Sequence, residues 1–302
     1  MSSVFFAAAR LKGKAEKLAW AQLKRRRLAA YLKSDRRPWG VGYSEFREEY
    51  LEKSINDSSL AEIFSEKRPL PEKYGFRLDA RVIEIPWVLS RLKDKTGLFL
   101  DAGSALNYGF VLESAPLKDK RVTIVTLAPE GQAFWQLGVS YVFGDLRDLD
   151  FRDERFDSVA CISTIEHIGM DNSMYAGDAD IAKRGDTTEF LMAVKELKRV
   201  LKPGGTLYIT FPFGRYENHG WFQQFDAALV DKLVDGFGTA QSRETIFKYE
   251  PDGWTLSNRG ACADCQFFDI HASKYNDPKS DLEYPDDYPA GERGLACLEL
   301  RK

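Results

Sequence analysis

The stretch FLDAGSALNYG, residues 99–109, ends a short apolar run in small residues and turns the chain with few of the glycines that a nucleotide-binding loop usually carries. Leu98, Phe99 and Leu100 have the character of a buried strand, and Asp101 through Asn107 that of a turn. A loop whose backbone must approach a bound molecule needs side chains without bulk, which Ala102, Gly103, Ser104 and Ala105 supply. Small-residue turns after strands are common, so this one gains meaning only from the runs downstream of it.

Downstream the pattern repeats. RVTIVTLAPE (121–130), SYVFGD (140–145), FDSVACIST (156–164) and TLYITFPF (206–213) are apolar runs separated by helical or polar stretches, and GLACLELRK (294–302) reads as a final strand at the sheet edge. Runs buried on both faces that alternate with helices predict an α/β fold with a mostly parallel sheet. Ligands of such sheets bind outside the carboxyl ends of the strands, so the residues closing each run are the candidates. At Gly144-Asp145-Leu146, a carboxylate can accept from an adenine amino group while apolar neighbours flank the ring. Lys202-Pro203-Gly204-Gly205 ends a helix and is expected to turn the chain into the next strand.

In this order, LFLDAGSALN, GDLRDLDF, FDSVACISTIEHI and RVLKPGGTLYIT resemble the class I S-adenosylmethionine-dependent methyltransferases, in particular the broad small-molecule group called type 11, over roughly residues 97–212. The resemblance implies a Rossmann-like sheet of seven strands with an antiparallel edge strand, S-adenosyl-L-methionine as cofactor, and methyl transfer to a small-molecule or saccharide acceptor, onto oxygen. Position by position, Asp101, Gly103, Ser104 and Ala105 match the loop around the amino-acid end of the donor. Asp145 and Leu146 match the adenine pair, Ser163 and Thr164 border the methyl group, and Glu166 and His167 fall beside the substrate. Two departures stand out. Ala105 and Asn107 occupy the positions of the family's second and third loop glycines, and Thr126-Leu127-Ala128-Pro129-Glu130 lacks a ribose-gripping acid at the strand end. Glu130, a few residues late, is expected to reach back to the ribose; otherwise backbone and water replace it.

Methyl transfer is an in-line displacement, so holding the acceptor at attack distance supplies much of the acceleration. A hydroxyl acceptor also gains from a general base, and His167 is the best placed of the three histidines. His219, just after the fifth strand, is the next candidate. The polar segment from Met170 to Phe190 reads as a lid or acceptor loop carrying Tyr175 and Asp178, or as a surface loop. No metal site is expected: Asp178 and Asp180 are too few acids, and Cys262-Ala-Asp-Cys265 lacks a second ligand pair. Trp221, Phe222, Phe225, Trp254 and Phe267 are read as packing the acceptor side or the core.

The chain of 302 residues divides into a helical, basic N-terminal extension, 1–95, and a catalytic domain, 96–302. Between Arg10 and Arg37 eleven Lys or Arg stand against Glu16 and Asp35. This reads as a solvated helix, or as one lying on an anionic membrane or partner with Trp20 and Leu23 inserted. A mixed-charge helical region is expected from about Tyr43 to Ser65, and another helix around a kink at Pro86. The net charge of −3 argues against general nucleic-acid binding. The absence of an apolar span or signal-like start, with four cysteines, predicts a cytoplasmic protein. A non-catalytic donor-binding or scaffold protein of the same fold is the alternative. A nicotinamide oxidoreductase is disfavoured by the glycine spacing.

Overall fold

The computed structural model describes residues 19–92, 96–176, 185–239 and 241–302. The helices are α1 (residues 19–33), α2 (Tyr43–Ile55), α3 (Ser58–Glu66), α4 (Arg81–Leu89), α5 (Gly109–Leu112), α6 (Ser173–Ala176), α7 (Phe190–Val200), α8 (Ala227–Phe237) and α9 (Arg259–Cys262). The strands are β1 (Leu98–Ala102), β2 (Arg121–Thr126), β3 (Ser140–Phe143), β4 (Phe156–Ile162), β5 (Leu201–Pro212), β6 (Glu217–Asn218), β7 (Gln223–Gln224), β8 (Ser242–Glu250), β9 (Gly253–Ser257) and β10 (Gly294–Arg301). Eight of them form one sheet in the order β3-β2-β1-β4-β5-β10-β8-β9, and β6 and β7 pair separately. β3 through β5 in this order are mutually parallel, so the sheet is mostly parallel as expected.

The expected strand count was seven, and the sheet has eight. The additional strand comes from KYEPDGWTLS, where Glu250 pairs with Gly253 across Pro251-Asp252 and makes a β8–β9 hairpin. Pro-Asp-Gly between two alternating runs is a turn signal, and Gly253 takes the positive φ of 123° that such a turn needs. β10 is not an edge strand. It lies antiparallel between β5 and β8, pairing with both, and buries Leu295 through Leu298.

The pleat divides the core in two. Phe99, Ile124, Ala160 and Leu295 face one side with α2 and α4, whereas Leu100, Val125, Val159 and Ala296 face the other with α7 and α8. Residues of the N-terminal extension therefore supply much of one helical layer. Tyr31, Tyr43, Leu51 and Trp87 share a core with strands of the sheet.

Local chemistry explains the helix boundaries. The region expected as one helix from Tyr43 to Ser65 is two, because Asp57 caps α3 by accepting from the amides of Ser59 and Leu60. In α4, Pro86 cannot donate to the Val82 carbonyl four residues back, and the Tyr74 hydroxyl donates to it instead at 2.7 Å. The Lys202–Gly205 segment does not form a separate turn. It begins β5 directly after α7, its register shifts between Phe156 and Ser158, and the Gly204 amide donates to the Lys302 carbonyl.

Residues 1–18 of the basic segment, Asp178 and Asp180 lie outside the described residues. On α1, Lys24 pairs with Glu48 at 2.7 Å and Arg27 with Glu45 at 2.9 Å, so part of the basic face is answered by α2. Trp20 and Leu23 are exposed. Among the described residues, no helix is long and apolar enough to cross a membrane.

Candidate active site

β1 has β2 on one side and β4 on the other, so the connections diverge between β1 and β4. This is the switch point where open α/β sheets bind ligands. A cavity of about 670 Å³ opens at the carboxyl ends of β1 to β4, lined by Gly103, Ser104, Thr126, Glu130, Asp145, Leu146, Ser163 and Thr164. Its volume lies within the roughly 300–1,000 Å³ typical of small-molecule pockets. Ala105 and His167 also border it, so ten of the predicted positions, Tyr175 included, converge on one space.

The loop after β1 is held by its own backbone and one buried acid. Gly103 has a φ of 116°, and a Cβ there would lie 2.0 Å from the Thr164 hydroxyl. Asp101, also predicted to bind the donor, is not on the cavity wall. It sits beneath the loop, fully buried, with Oδ2 accepting from the Leu106 amide at 2.9 Å and Oδ1 without a partner. Burial raises this carboxyl from 3.8 to about 7. Because the folded value exceeds the unfolded one, the stability it contributes is complete below about 3.8 and is lost as pH rises to about 7. Asp101→Asn keeps the acceptor and removes the charge, so its Tm relative to wild type is expected to rise by a few degrees from pH 5 to pH 8. Thermal melts across that range check this, and a constant difference would exclude it.

Asn107, at a family glycine position, crosslinks the loop. Its Nδ2 donates to the Gln132 carbonyl at 3.0 Å, and its Oδ1 accepts from the Tyr141 hydroxyl at 2.8 Å. Glu130 lies across the β2 end, where its Oε1 accepts from the Ser104 hydroxyl and from Thr126 Oγ1 at 3.3 Å. Asp145 holds Arg147 through Nε at 2.8 Å, and Arg147 also pairs with Glu189.

A second chamber of about 400 Å³ adjoins the first and shares Arg81, Tyr108, Ser163, His167, Met174 and Tyr175 with it. Trp39, Trp221, Phe222 and Phe267 supply aromatic walls, and Asp79, Glu84, Glu166, Asp269 and Glu292 supply carboxyls. Trp221, Phe222 and Phe267 thus line the second chamber, whereas Phe225 and Trp254 belong to the core.

His167 stands where the chambers meet. Its Nδ1 lies 2.9 Å from the Trp221 carbonyl, which can only accept, so Nδ1 carries the proton and Nε2 keeps its lone pair. Burial lowers the imidazole from 6.5 to about 4, so the ring is neutral near pH 7. The Nε2 atom is 4.0 Å from Glu166 Oε1. Glu166 is buried, which pushes its carboxyl well above the ordinary range, and its Oε2 has no partner. Tyr175 packs edge-on to the His167 ring at 5.5 Å. His219 lines neither chamber. It stacks behind Phe222 at 4.5 Å, with Nε2 3.4 Å from Glu217.

Sequence reasoning passed over Glu84. Its Oε1 accepts from the Ser163 and Thr210 hydroxyls, the latter at 2.6 Å, and Oε2 pairs with Arg81 at 2.8 Å. Ser163, predicted to border the donor, lines both chambers while its hydroxyl is held by Glu84 at a backbone φ of 38°. The available signal was one acid inside RVIEIPWVL, an otherwise apolar helix. The four cysteines are free and buried, and among the described residues no group of three or more His, Cys, Asp or Glu could hold a metal.

Residues 100–209 match the family model described as a methyltransferase domain. No curated protein matches the chain by sequence. Among solved structures, the 1,6-didemethyltoxoflavin-N1-methyltransferase of Burkholderia thailandensis, bound to 1,6-didemethyltoxoflavin and S-adenosylhomocysteine, is 14% identical. The alignment covers 85% of this chain and 90% of that one, with a TM-score of 0.42. A Thermotoga maritima S-adenosylmethionine-dependent methyltransferase, described as a possible histamine N-methyltransferase, is 14% identical over 84% of this chain and 99% of its own, with a TM-score of 0.42. The matched segment holds the loop after β1, the ends of β2 to β4 and the strand after α7, and it is this part of the chain that is similar to a methyltransferase domain.

Proposed function

We propose that the chain moves a methyl group from S-adenosylmethionine to a hydroxyl of a small, ring-shaped polar acceptor such as a saccharide. The observation that carries this reading is the junction of the two chambers at His167 and Ser163. Carboxyls accept from vicinal hydroxyls, and aromatic walls stack on the apolar faces of a ring.

The donor chamber fits the cofactor. Gly103 leaves open the volume that a Cβ would contest with Thr164, and Glu130 offers a carboxylate at the β2 end. When bound, the cofactor supplies an electrophilic methyl carbon on a sulfonium. In the acceptor chamber, His167 holds its proton on Nδ1 through Trp221 and presents Nε2 to the acceptor. Nε2 would take the hydroxyl proton of the acceptor, while the bound donor would supply the methyl carbon and keep the bonding electrons on its sulfur. The imidazolium formed faces Glu166 Oε1 at 4.0 Å. The aromatic walls exclude water and hold the acceptor in line.

Calorimetry with S-adenosylhomocysteine tests the donor half, and Glu130→Gln is expected to weaken binding about tenfold, as loss of a charge-assisted hydrogen bond would. Unchanged affinity would remove Glu130 from the donor site. Isotopically labelled donor with panels of sugars, lipids and phenolics then tests the reaction. Donor binding without methyl transfer to any panel would favour the non-catalytic alternative.

A further inference from the structure

The acceptor chamber holds more carboxyl groups than its own cations pair with. Of its five carboxyls, Asp79 pairs with Arg47 at 2.5 Å and Glu84 with Arg81 at 2.8 Å. Asp269 accepts from the backbone amides of His271 and Ala272. Glu166 and Glu292 remain, and neither forms an ion pair with a Lys or Arg among the described residues. Glu166 is only 2% exposed, lines the chamber, and has a buried Oε2 without a hydrogen-bond partner. A buried carboxyl oxygen left bare costs free energy unless something arrives to satisfy it. Aromatic faces at Trp39, Trp221 and Phe267 complete a wall that attracts cations as well as ring carbons.

We propose that Glu166 and Glu292 form a subsite for an ammonium group on the acceptor, so that the methylated molecule is an amino-bearing polar ring compound. This deepens the methyl-transfer reading and rests on it for the name of the ligand as acceptor. A neutral hydroxyl would satisfy Glu166 Oε2 with one hydrogen bond. An ammonium group donates up to three and pairs with the carboxylates that form as it binds, which favours it in a chamber with two unpaired carboxyls. Burial and the neighbouring Glu84 and Glu292 raise Glu166 while Arg81 lowers it, and burial with Asp79 and Glu84 raises Glu292 to about 7. Binding of a cation therefore ionises these carboxyls and releases protons.

The test uses matched pairs that differ only in charge, glucosamine against glucose and cyclohexylamine against cyclohexanol, titrated into the full chain at pH 7 with S-adenosylhomocysteine present. The amine of each pair is expected to bind about tenfold tighter, as one charge-assisted contact implies. Calorimetry in two buffers of different ionisation enthalpy should show proton release for the amines alone. Glu166→Gln and Glu292→Gln, measured separately so that one failure to fold leaves the other informative, should each erase most of the preference. Equal binding of the pairs, no amine binding at millimolar concentration, or a preference that survives both substitutions overturns the proposal. Because S-adenosylhomocysteine binding is recorded in the same proteins, its loss in the wild type would instead count against the donor reading.

Discussion

Gly103→Ala is expected to weaken donor binding about a hundredfold while leaving the chain folded, from two costs of about 1–3 kcal/mol each that add to roughly 3 kcal/mol. The first is conformational: at a φ of 116° an L side chain is strained wherever space allows it. The second is steric. The new methyl would lie 2.0 Å from Thr164 Oγ1 and 2.7 Å from Thr164 Cβ, so the β1 loop and the segment after β4 must separate. Both border the donor cavity, and a shift there reshapes the seat directly. Calorimetry with S-adenosylhomocysteine reads the affinity, and Tm separates a local change from unfolding. Adding Thr164→Gly removes the atoms in conflict and should recover part of the loss. A folded Gly103→Ala protein with wild-type affinity would show that this loop does not hold the donor.

His167→Ala should reduce kcat about 10²- to 10⁴-fold, the usual contribution of a positioned base, with donor affinity unchanged. The pH profile distinguishes a base from a structural histidine. With the imidazole lowered from 6.5 to about 4, Nε2 stays unprotonated through neutrality. At saturating acceptor the wild-type kcat should be flat from pH 6 to 8 and fall only as pH approaches about 4, with no inflection near 6.5. The assay uses the acceptor found by the methyl-transfer screen. Full turnover by His167→Ala would remove the residue from the mechanism. Retention of the low-pH limb in that variant would assign it to another group.

Much of the site was legible because strand-end residues lie close together in any sheet of this connectivity. Once LFLDAG, GDL, IST and RVLKPGG stand in order, Gly103, Asp145, Ser163 and Thr164 must meet at one end of β1, β3 and β4. His167 followed from its place three residues past Thr164. Asp101 was legible as important but not as a residue under the loop, since a strand-end acid points to one face or the other according to a pleat that the motif does not reveal. The β8–β9 hairpin has a weaker signal in the apolar pattern, its mark being Pro-Asp-Gly, and β8 and β9 pair beyond β10, which therefore lies inside the sheet and not at the expected edge.

The sequence by itself determined the layered α/β architecture, the parallel strands and the position of the small-residue loop after β1, because burial on both faces and small-residue turns are local properties with a fixed period. Only the tertiary structure decided what surrounds the reacting atoms. Glu84 meets Ser163 from 79 positions away and Thr210 from 126, and Trp39, Trp221 and Glu292 close one chamber from three distant parts of the chain. No periodicity records those meetings, since they depend on how α4 packs over the carboxyl ends of β4 and β5. FLDAGSALNYG placed a small-residue loop on the wall of the larger cavity, and the fold set an acidic, aromatic chamber beside it.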